Sequence, residues 1–208
     1  MANIFIIAAP SGCGKTSLVK SLIEDSNNLS VSVSHTTRKM RKGEIDGKNY
    51  HFVSKETFDK MISNKEFVEY AEVFGNMYGT TKKNIKEKLD RNIDIILEID
   101  WQGARQVRKN ITDAVSIFIL PPSKQALYER LINRGQDDEV TISKRMENSE
   151  KEMSHFNEFD YLIINDQFDS ALSNLKAIID DFRNNIKNID LSLENQLLRH
   201  KYLLNKLI

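Results

Sequence analysis

The chain has 208 residues, of which 40% are hydrophobic and 29% charged, and its 30 basic and 30 acidic side chains leave no net charge. This balance argues against a nucleic-acid binder, which usually carries a basic excess. The apolar fraction suffices for one globular domain with inserted lobes. The single cysteine, Cys13, excludes an internal disulfide and indicates a reducing, cytoplasmic setting. No signal peptide or membrane span is indicated, so we expect no membrane association.

Short apolar runs along the chain predict strands that are buried on both faces. These runs are Ile4–Ala9, Ile93–Asp100, Val115–Leu120 and Tyr161–Ile164. Helical patterns separate them, beginning with a helix from Lys15. The alternation predicts an α/β fold of three layers, in which helices cover both faces of a central parallel sheet.

The segment 32–83 interrupts this alternation and mixes short strands with helices. Its patterns predict, in order, the strand Val31–Ser34, a helix capped by Ser54 and ending near Ile62, the hairpin Phe67–Tyr78 and the helix Lys82–Leu89. We therefore expect 32–83 to form an inserted lobe of mixed α+β structure.

A second lobe, 122–150, is strongly charged and predicted to be helical. Its helices are expected at about Lys124–Asn133 and Ile142–Phe156, the latter running beyond the lobe. We expect it to act as a lid on a core formed by 1–31, 84–121 and 151–208. The tail from Asp169 predicts one or two helices. Its apolar stripe from Leu191 to Ile208 is compatible with core packing or with contact to a second copy of the chain.

Residues Ala9–Thr16 match the phosphate-loop pattern G-x-x-x-x-G-K-[ST], except that Ala9 replaces the first glycine. In this motif glycines let backbone N–H groups turn toward phosphate oxygens, Lys15 reaches the β- and γ-phosphates, and the Thr16 hydroxyl binds Mg²⁺. We expect the Cys13 thiol to fill space and not to act as a nucleophile. The motif predicts a nucleotide-phosphate site, but GTPases, ATPases and small kinases share it.

Motifs downstream resemble the guanylate kinase family over nearly the whole chain. Ser34–Arg41 resembles the family's S-x-T-T-R-x-x-R segment. Further matches, in family order, are Gly43-Glu44, Gly47–Phe52, Phe67–Glu69, Tyr78–Thr80, Ile99–Gly103, Arg134-Gly135, Arg145, Met153–His155 and Asn165-Asp166. The resemblance implies a P-loop enzyme that transfers the γ-phosphoryl group of ATP to GMP with the help of Mg²⁺.

The resemblance also implies roles for individual residues. ATP is assigned to Ser11, Gly12, Cys13, Gly14, Lys15, Thr16, Ser17, Arg130, Arg134 and Asn165. GMP is assigned to Ser34, Arg38, Arg41, Tyr50, Glu69, Tyr78, Thr80 and Asp100. Catalysis is assigned to Lys15, Arg38, Arg134 and Arg145, and Mg²⁺ to Thr16 and Asp100. Within these sets, Arg130, Arg134 and Arg145 are the arginines expected to close over the phosphates, and Asn165 is expected near the adenine.

Physical chemistry supports the central assignments. Arg38 and Arg41 present donor forks that match phosphate, although a solvated basic loop is the alternative. The carboxylate of Glu69 can accept both N1–H and the N2 amine of guanine, which adenine cannot offer, although Glu69 could instead face solvent on an alternating strand. Asp100 ends a buried strand, where acids of P-loop enzymes help to hold Mg²⁺.

Two other functions remain open at this stage. A non-catalytic module of the same fold would bind protein partners, but such modules usually lose phosphate-loop or lid residues, and Lys15 and Thr16 are present here. A kinase for another nucleoside monophosphate would not need Glu69.

Overall fold

The computed structural model describes residues 2–73, 75–133, 138–186 and 190–208. The strands in these ranges are β1 (Ile4–Ala8), β2 (Leu29–Val31), β3 (His35–Thr36), β4 (His51–Phe52), β5 (Phe67–Val73), β6 (Asn76–Thr81), β7 (Asp94–Glu98), β8 (Val115–Leu120) and β9 (Tyr161–Ile164). The helices are α1 (Lys15–Glu24), α2 (Lys55–Ser63), α3 (Lys82–Leu89), α4 (Trp101–Asn110), α5 (Lys124–Asn133), α6 (Glu139–Met153), α7 (Phe168–Arg183), α8 (Leu193–Arg199) and α9 (Lys201–Leu207).

A parallel sheet of five strands, in the order β2-β7-β1-β8-β9, forms the centre of the fold. Every residue of β1 and β8 is buried, as expected for strands covered on both faces. The short apolar runs in the sequence are explained by this burial. The predicted α/β class with a central parallel sheet is thereby confirmed.

The chain divides into two compact units, of which the first comprises Met1–Ile6 and Asn27–Ala114. This unit holds a second sheet with the order β4-β3-β6-β5, in which β5 and β6 form the predicted antiparallel hairpin. Helix α4 packs against β5. The side chain of Gln106 accepts the N–H of Tyr70 at 3.1 Å and donates to its carbonyl at 2.7 Å, which satisfies backbone groups of this edge strand.

The second unit comprises Ile7–Ser26 and Val115–Ile208. In it α1 packs against α7, and α5 against α6. The C-terminal segment closes the edge of β9, because the N–H of Leu162 donates to the carbonyl of Leu191 at 3.3 Å and the N–H of Leu193 to that of Asp160 at 2.9 Å.

Several predicted elements are confirmed and others need correction. Ser54 caps α2 as predicted, its Oγ accepting the N–H of Thr57 at 3.2 Å. The predicted strand Val31–Ser34 is wrong, because the chain pairs with β7 only over Leu29–Val31 and next forms a strand at β3. Helix α6 begins earlier than expected, because Asp138 caps it by accepting the N–H of Thr141 at 2.8 Å.

The described residues of the C-terminal region, 168–186 and 190–208, contain three helices, α7, α8 and α9, so the prediction of one or two is wrong. The apolar stripe from Leu191 to Ile208 is only partly buried. Leu204 and Leu207 are buried, whereas Leu198 and Tyr202 are each 75% exposed. No described helix is both long and apolar enough to span a membrane.

The start of β8 is fixed to β9 through one buried hydroxyl. Ser116 is fully buried, and its Oγ–H and N–H both donate to a carboxylate oxygen of Asp160, at 2.6 and 2.8 Å. We expect Ser116→Ala to lower the free energy of unfolding by about 1–3 kcal/mol, because it removes a hydrogen bond to a charged acceptor. Chemical denaturation measures this change. The exposed Ser170 on α7 is the control, since its replacement by alanine should change stability by less than about 0.5 kcal/mol. Equal stability of the two variants would contradict the prediction.

Candidate active site

The phosphate loop joins β1 to α1, as its sequence motif requires. Gly12 and Gly14 have backbone φ angles of 92° and 84°, which residues with a side chain rarely adopt. A Cβ on Gly12 would lie 2.9 Å from the side chain of Leu127, and one on Gly14 would lie 2.8 Å from Nδ2 of Asn165. The two glycines are therefore required both by conformation and by space.

Helix α1 starts directly at this loop. Its N-cap is Gly14, which has no side chain to accept the N–H groups of the first turn. Those groups and the positive end of the helix dipole together form an anion site. Lys15 is partly buried at the first position of the helix, and Thr16 and Ser17 are exposed beside it. The loop can therefore bind the phosphates of a nucleotide.

Side chains that are distant in the sequence form hydrogen bonds with the backbone of the phosphate loop. The buried amide of Asn165 donates from Nδ2 to the carbonyl of Cys13 at 2.7 Å, and its backbone carbonyl accepts Nη2 of Arg130 at 2.8 Å. The N–H of Ser11 donates to Oε2 of Glu152 at 3.1 Å, and its carbonyl accepts the hydroxyl of Ser149 at 3.3 Å. Sequence reasoning missed Ser149 and Glu152, and it placed Asn165 at the adenine without predicting this support of the loop.

Cys13 lies inside the loop and is fully buried. Burial raises the pKa of its thiol well above the ordinary value. A protonated, inaccessible thiol is a poor nucleophile, as expected for a residue that fills space.

The first unit carries the residues predicted for the acceptor. Arg38 forms a two-pronged ion pair with Glu44, with Nη1···Oε2 and Nη2···Oε1 distances of 3.0 and 2.7 Å. The backbone N–H of Arg41 donates to the same carboxylate at 2.7 Å. The hydrogen bond between the side chains raises the pKa of Arg38 and lowers the pKa of Glu44. Glu44 therefore orients one arginine and the backbone of the other, a role that its sequence position alone did not reveal.

Two tyrosines lie near Arg38. The rings of Tyr50 and Tyr78 are 5.8 Å apart, and the guanidinium of Arg38 lies 5.4 Å from the Tyr50 ring centre. Burial, and then the negative charge of Glu98, raise the pKa of Tyr50 to about 12. The Tyr50 hydroxyl is thus protonated near neutral pH and can donate to a phosphate oxygen. Arg41 itself is exposed.

A polar cluster lies between the second sheet and α4. Glu69 is 3% exposed, which contradicts the alternative that it faces solvent. It pairs across the hairpin with the fully buried Thr80, whose hydroxyl lies 3.1 Å from that of Ser34. Asp100 caps α4, its Oδ1 accepting the N–H of Gly103 at 2.8 Å. The structure thus brings together the residues that were predicted to bind the base.

Glu69 lies against the first turn of α4, which is possible because position 103 is glycine. A Cβ at this position would stand 2.6 Å from Oε2 of Glu69 and 3.4 Å from Oδ1 of Asp100. The positive end of the helix dipole favours a carboxylate in this place.

The predicted lid residues are only partly described. Arg145 lies on α6, four residues before Ser149. Arg134 falls outside the described residues. Among those that are described, no group of three or more His, Cys, Asp or Glu side chains could hold a metal. Such a group is not required for Mg²⁺, which keeps waters and substrate phosphates as most of its ligands, and the exposed hydroxyl of Thr16 is an oxygen of the kind that fits it.

Comparison with known proteins decides the family. A family model described as guanylate kinase matches residues 1–182. The chain belongs to the guanylate kinase family. The guanylate kinase of Pseudomonas fluorescens Pf-5 is 60% identical over 176 residues, which are 85% of each chain. That of Saccharophagus degradans is 52% identical over 206 residues, 99% of this chain and 97% of the relative.

A solved structure of the same family supports this assignment. The crystal structure of guanylate kinase from Anaplasma phagocytophilum has a TM-score of 0.71 and 34% identity, and 95% of each chain is covered. The fold is thus that of a P-loop guanylate kinase, and the chain is a nucleoside monophosphate kinase. The comparisons do not favour a non-catalytic module.

Replacing Gly103 by alanine tests the packing of Glu69. The new Cβ would displace the carboxylate, so we expect GMP to bind at least about tenfold more weakly in isothermal titration calorimetry, because a misplaced acceptor leaves polar groups unpaired. Lys109, exposed on the same helix, is the control, and Lys109→Ala should bind GMP like the wild type. Unchanged GMP affinity in Gly103→Ala would show that the position of Glu69 against α4 does not matter for binding.

The thiol of Cys13 offers a test of the loop's packing. In folded protein at pH 8 we expect Ellman's reagent to modify it at least about 100-fold more slowly than free cysteine, because a buried, protonated thiol does not react. After unfolding in guanidinium chloride, one thiol per chain should react. Rapid modification of the folded protein would mean that the loop opens readily.

Proposed function

We propose that this enzyme transfers the γ-phosphoryl group of ATP to GMP, giving ADP and GDP, in a reaction that depends on Mg²⁺. The observation that carries the proposal is the buried carboxylate of Glu69, held against α4 in a chain that also has a phosphate loop. A carboxylate only accepts hydrogen bonds, and guanine presents two donors to it side by side.

The donor nucleotide is assigned to the phosphate loop. Residues Ser11 to Ser17 surround the triphosphate, backbone N–H groups at the start of α1 donate to it, and Lys15 reaches its β- and γ-phosphates. Thr16 and Asp100 would hold Mg²⁺, which neutralises charge on the phosphates when bound. Arg130, Arg134 and Arg145 belong to the proposed lid, 122–150, and Asn165 to the proposed adenine end.

The acceptor nucleotide is assigned to the lobe 32–83 and the start of α4. Glu69 accepts N1–H and the N2 amine of guanine, while Ser34 and Thr80 bind the base nearby and Asp100 the ribose. The phosphate is bound by Arg38, Arg41, Tyr50 and Tyr78. The burial of Glu69 makes the choice of base strict, because an adenine does not offer the carboxylate the two adjacent donors of guanine.

Catalysis in this proposal rests on position and charge. The acceptor is already a phosphate oxyanion, so no general base is required, and the protein must align two anionic nucleotides and stabilise the charge that spreads in the transition state. Lys15, Arg38, Arg134 and Arg145 supply the positive charge. Closure of the lid excludes water, which would otherwise accept the phosphoryl group.

The single thiol and the identity of the substrates support a cytoplasmic location.

The test is ADP formation from ATP and Mg²⁺ with GMP, AMP, CMP, UMP and dTMP in turn. We expect turnover with GMP alone, and none above background in Lys15→Met. Glu69→Gln should reduce kcat/KM for GMP by roughly 10²-fold or more, since an amide accepts one guanine donor and opposes the other. Glu72→Gln is the matched control, because Glu72 is on the same strand but exposed.

Two outcomes would contradict the proposal. Turnover with a different monophosphate would refute the role of Glu69 in reading the base. No turnover with any monophosphate, in folded protein that still binds GMP, would favour a non-catalytic function.

A further inference from the structure

Helix α6 contacts the phosphate loop at Ser11. Glu152 accepts the N–H of Ser11 at 3.1 Å, and the hydroxyl of Ser149 donates to the Ser11 carbonyl at 3.3 Å. Both contacts come from one face of the helix, because residues three apart are neighbours on a helix surface. Both backbone groups of this loop residue are therefore fixed by α6.

The same helix is firmly packed at its C-terminal end. Ser149 and Met153 are fully buried there. Helix α6 runs without interruption from Glu139 to Met153, so a contact at one end determines the position of side chains further along. Arg145 lies four residues before Ser149, about 6 Å along the axis, and on the same face as Ser149 and Glu152.

The charge of Glu152 calls for a reason, because a carboxylate beside a phosphate loop repels the nucleotide. Its field reaches the loop: burial is the main cause of the raised pKa of the Cys13 thiol, and the charge of Glu152 raises this pKa further, against the opposite effects of Arg130 and Lys15. Attraction of the nucleotide therefore does not explain this carboxylate. What it does supply is a strong, fixed acceptor for a loop N–H, which a neutral side chain would supply more weakly.

We propose that Glu152, together with Ser149, is a positioning residue that fixes α6 to the phosphate loop and thereby aligns Arg145 with the phosphates. The inference rests on the proposed function, because the phosphate-binding roles of Arg145 and Lys15 give this alignment its effect. Glu152 acts through Ser11 and α6 and does not touch the substrate.

Steady-state kinetics with ATP and GMP test the proposal. We expect Glu152→Ala to lower kcat by roughly tenfold or more, because small misplacements of catalytic groups are costly, while KM for ATP changes by less than about threefold. Glu152→Gln keeps an oxygen acceptor and should recover most of kcat. Glu150→Ala is the control, since Glu150 lies on the same helix but pairs with Lys124 at 3.2 Å on the surface. It should behave like the wild type.

A double-mutant cycle separates alignment of Arg145 from a general loss of structure. In an Arg145→Ala background, Glu152→Ala should cost little further kcat, because the group that it aligns is already missing. A full additional loss in that background would overturn the proposal. A lower KM for ATP with kcat retained would also overturn it, because Glu152 would then be a competitor of phosphate. Melting temperatures establish that the variants are folded, and Ser149→Ala replaces Glu152→Ala should the latter not fold.

Hydrogen exchange gives a readout that does not depend on turnover. The Ser11 amide should exchange faster in Glu152→Ala and at the wild-type rate in Glu150→Ala, because only the first variant removes its acceptor. If the wild-type protein shows no GMP-dependent turnover, the proposed function is refuted. The exchange data would still show whether Glu152 fixes the phosphate loop. Unchanged exchange at Ser11 would refute this inference even in a fully active kinase.

Discussion

A loop that turns its N–H groups toward an anion must turn carbonyl groups away from it, and those carbonyls need donors of their own. This constraint governs the loop before α1. The carbonyl of Cys13 receives the amide of Asn165, and the carbonyl of Ser11 receives the hydroxyl of Ser149. Gly12 and Gly14 are glycines because the left-handed turns leave no space beside Leu127 and Asn165. The conformation of the phosphate loop thus depends on donors to the carbonyl groups that point away from the anion, since buried backbone groups without partners would destabilise it.

The first unit meets the opposite requirement, because it holds buried negative charge. Glu69 is almost completely buried, and Asp100 shares its surroundings at the first turn of α4. The helix provides the N–H of Gly103 to Asp100 and the positive end of its dipole to both carboxylates. Gln106, further along α4, binds the backbone of β5 and so keeps the helix beside the strand that carries Glu69. Helix α4 therefore holds Glu69 in place as much as the strand does, and under the proposed function both elements recognise the base.

The sequence predicted what depends on neighbours along the chain. Apolar runs predicted strands β1, β8 and β9 because burial on both faces leaves a local pattern, and the cap at Ser54 predicted the start of α2. The phosphate loop was recognisable for the same reason. The contacts that support the loop were not, because Asn165 lies 152 residues from Cys13 and Glu152 lies 141 residues from Ser11. The Val31–Ser34 prediction failed since alternation cannot show where pairing with β7 ends.

Each of the two elements proposed to bind a nucleotide includes a carboxylate that reduces its attraction for phosphate. Glu44 occupies the donor fork of Arg38, and Glu152 accepts an N–H of the phosphate loop. A site selected for affinity alone would omit these acids. A phosphotransferase gains more from groups that are already in place when the transition state forms, because interactions that bind the ground state equally well do not increase the rate. Pairing with an acid fixes a long, flexible arginine or a mobile loop and limits how tightly the products are held. Under the proposed function, the two carboxylates therefore favour alignment over affinity, as the transfer of a phosphoryl group between two anionic nucleotides requires.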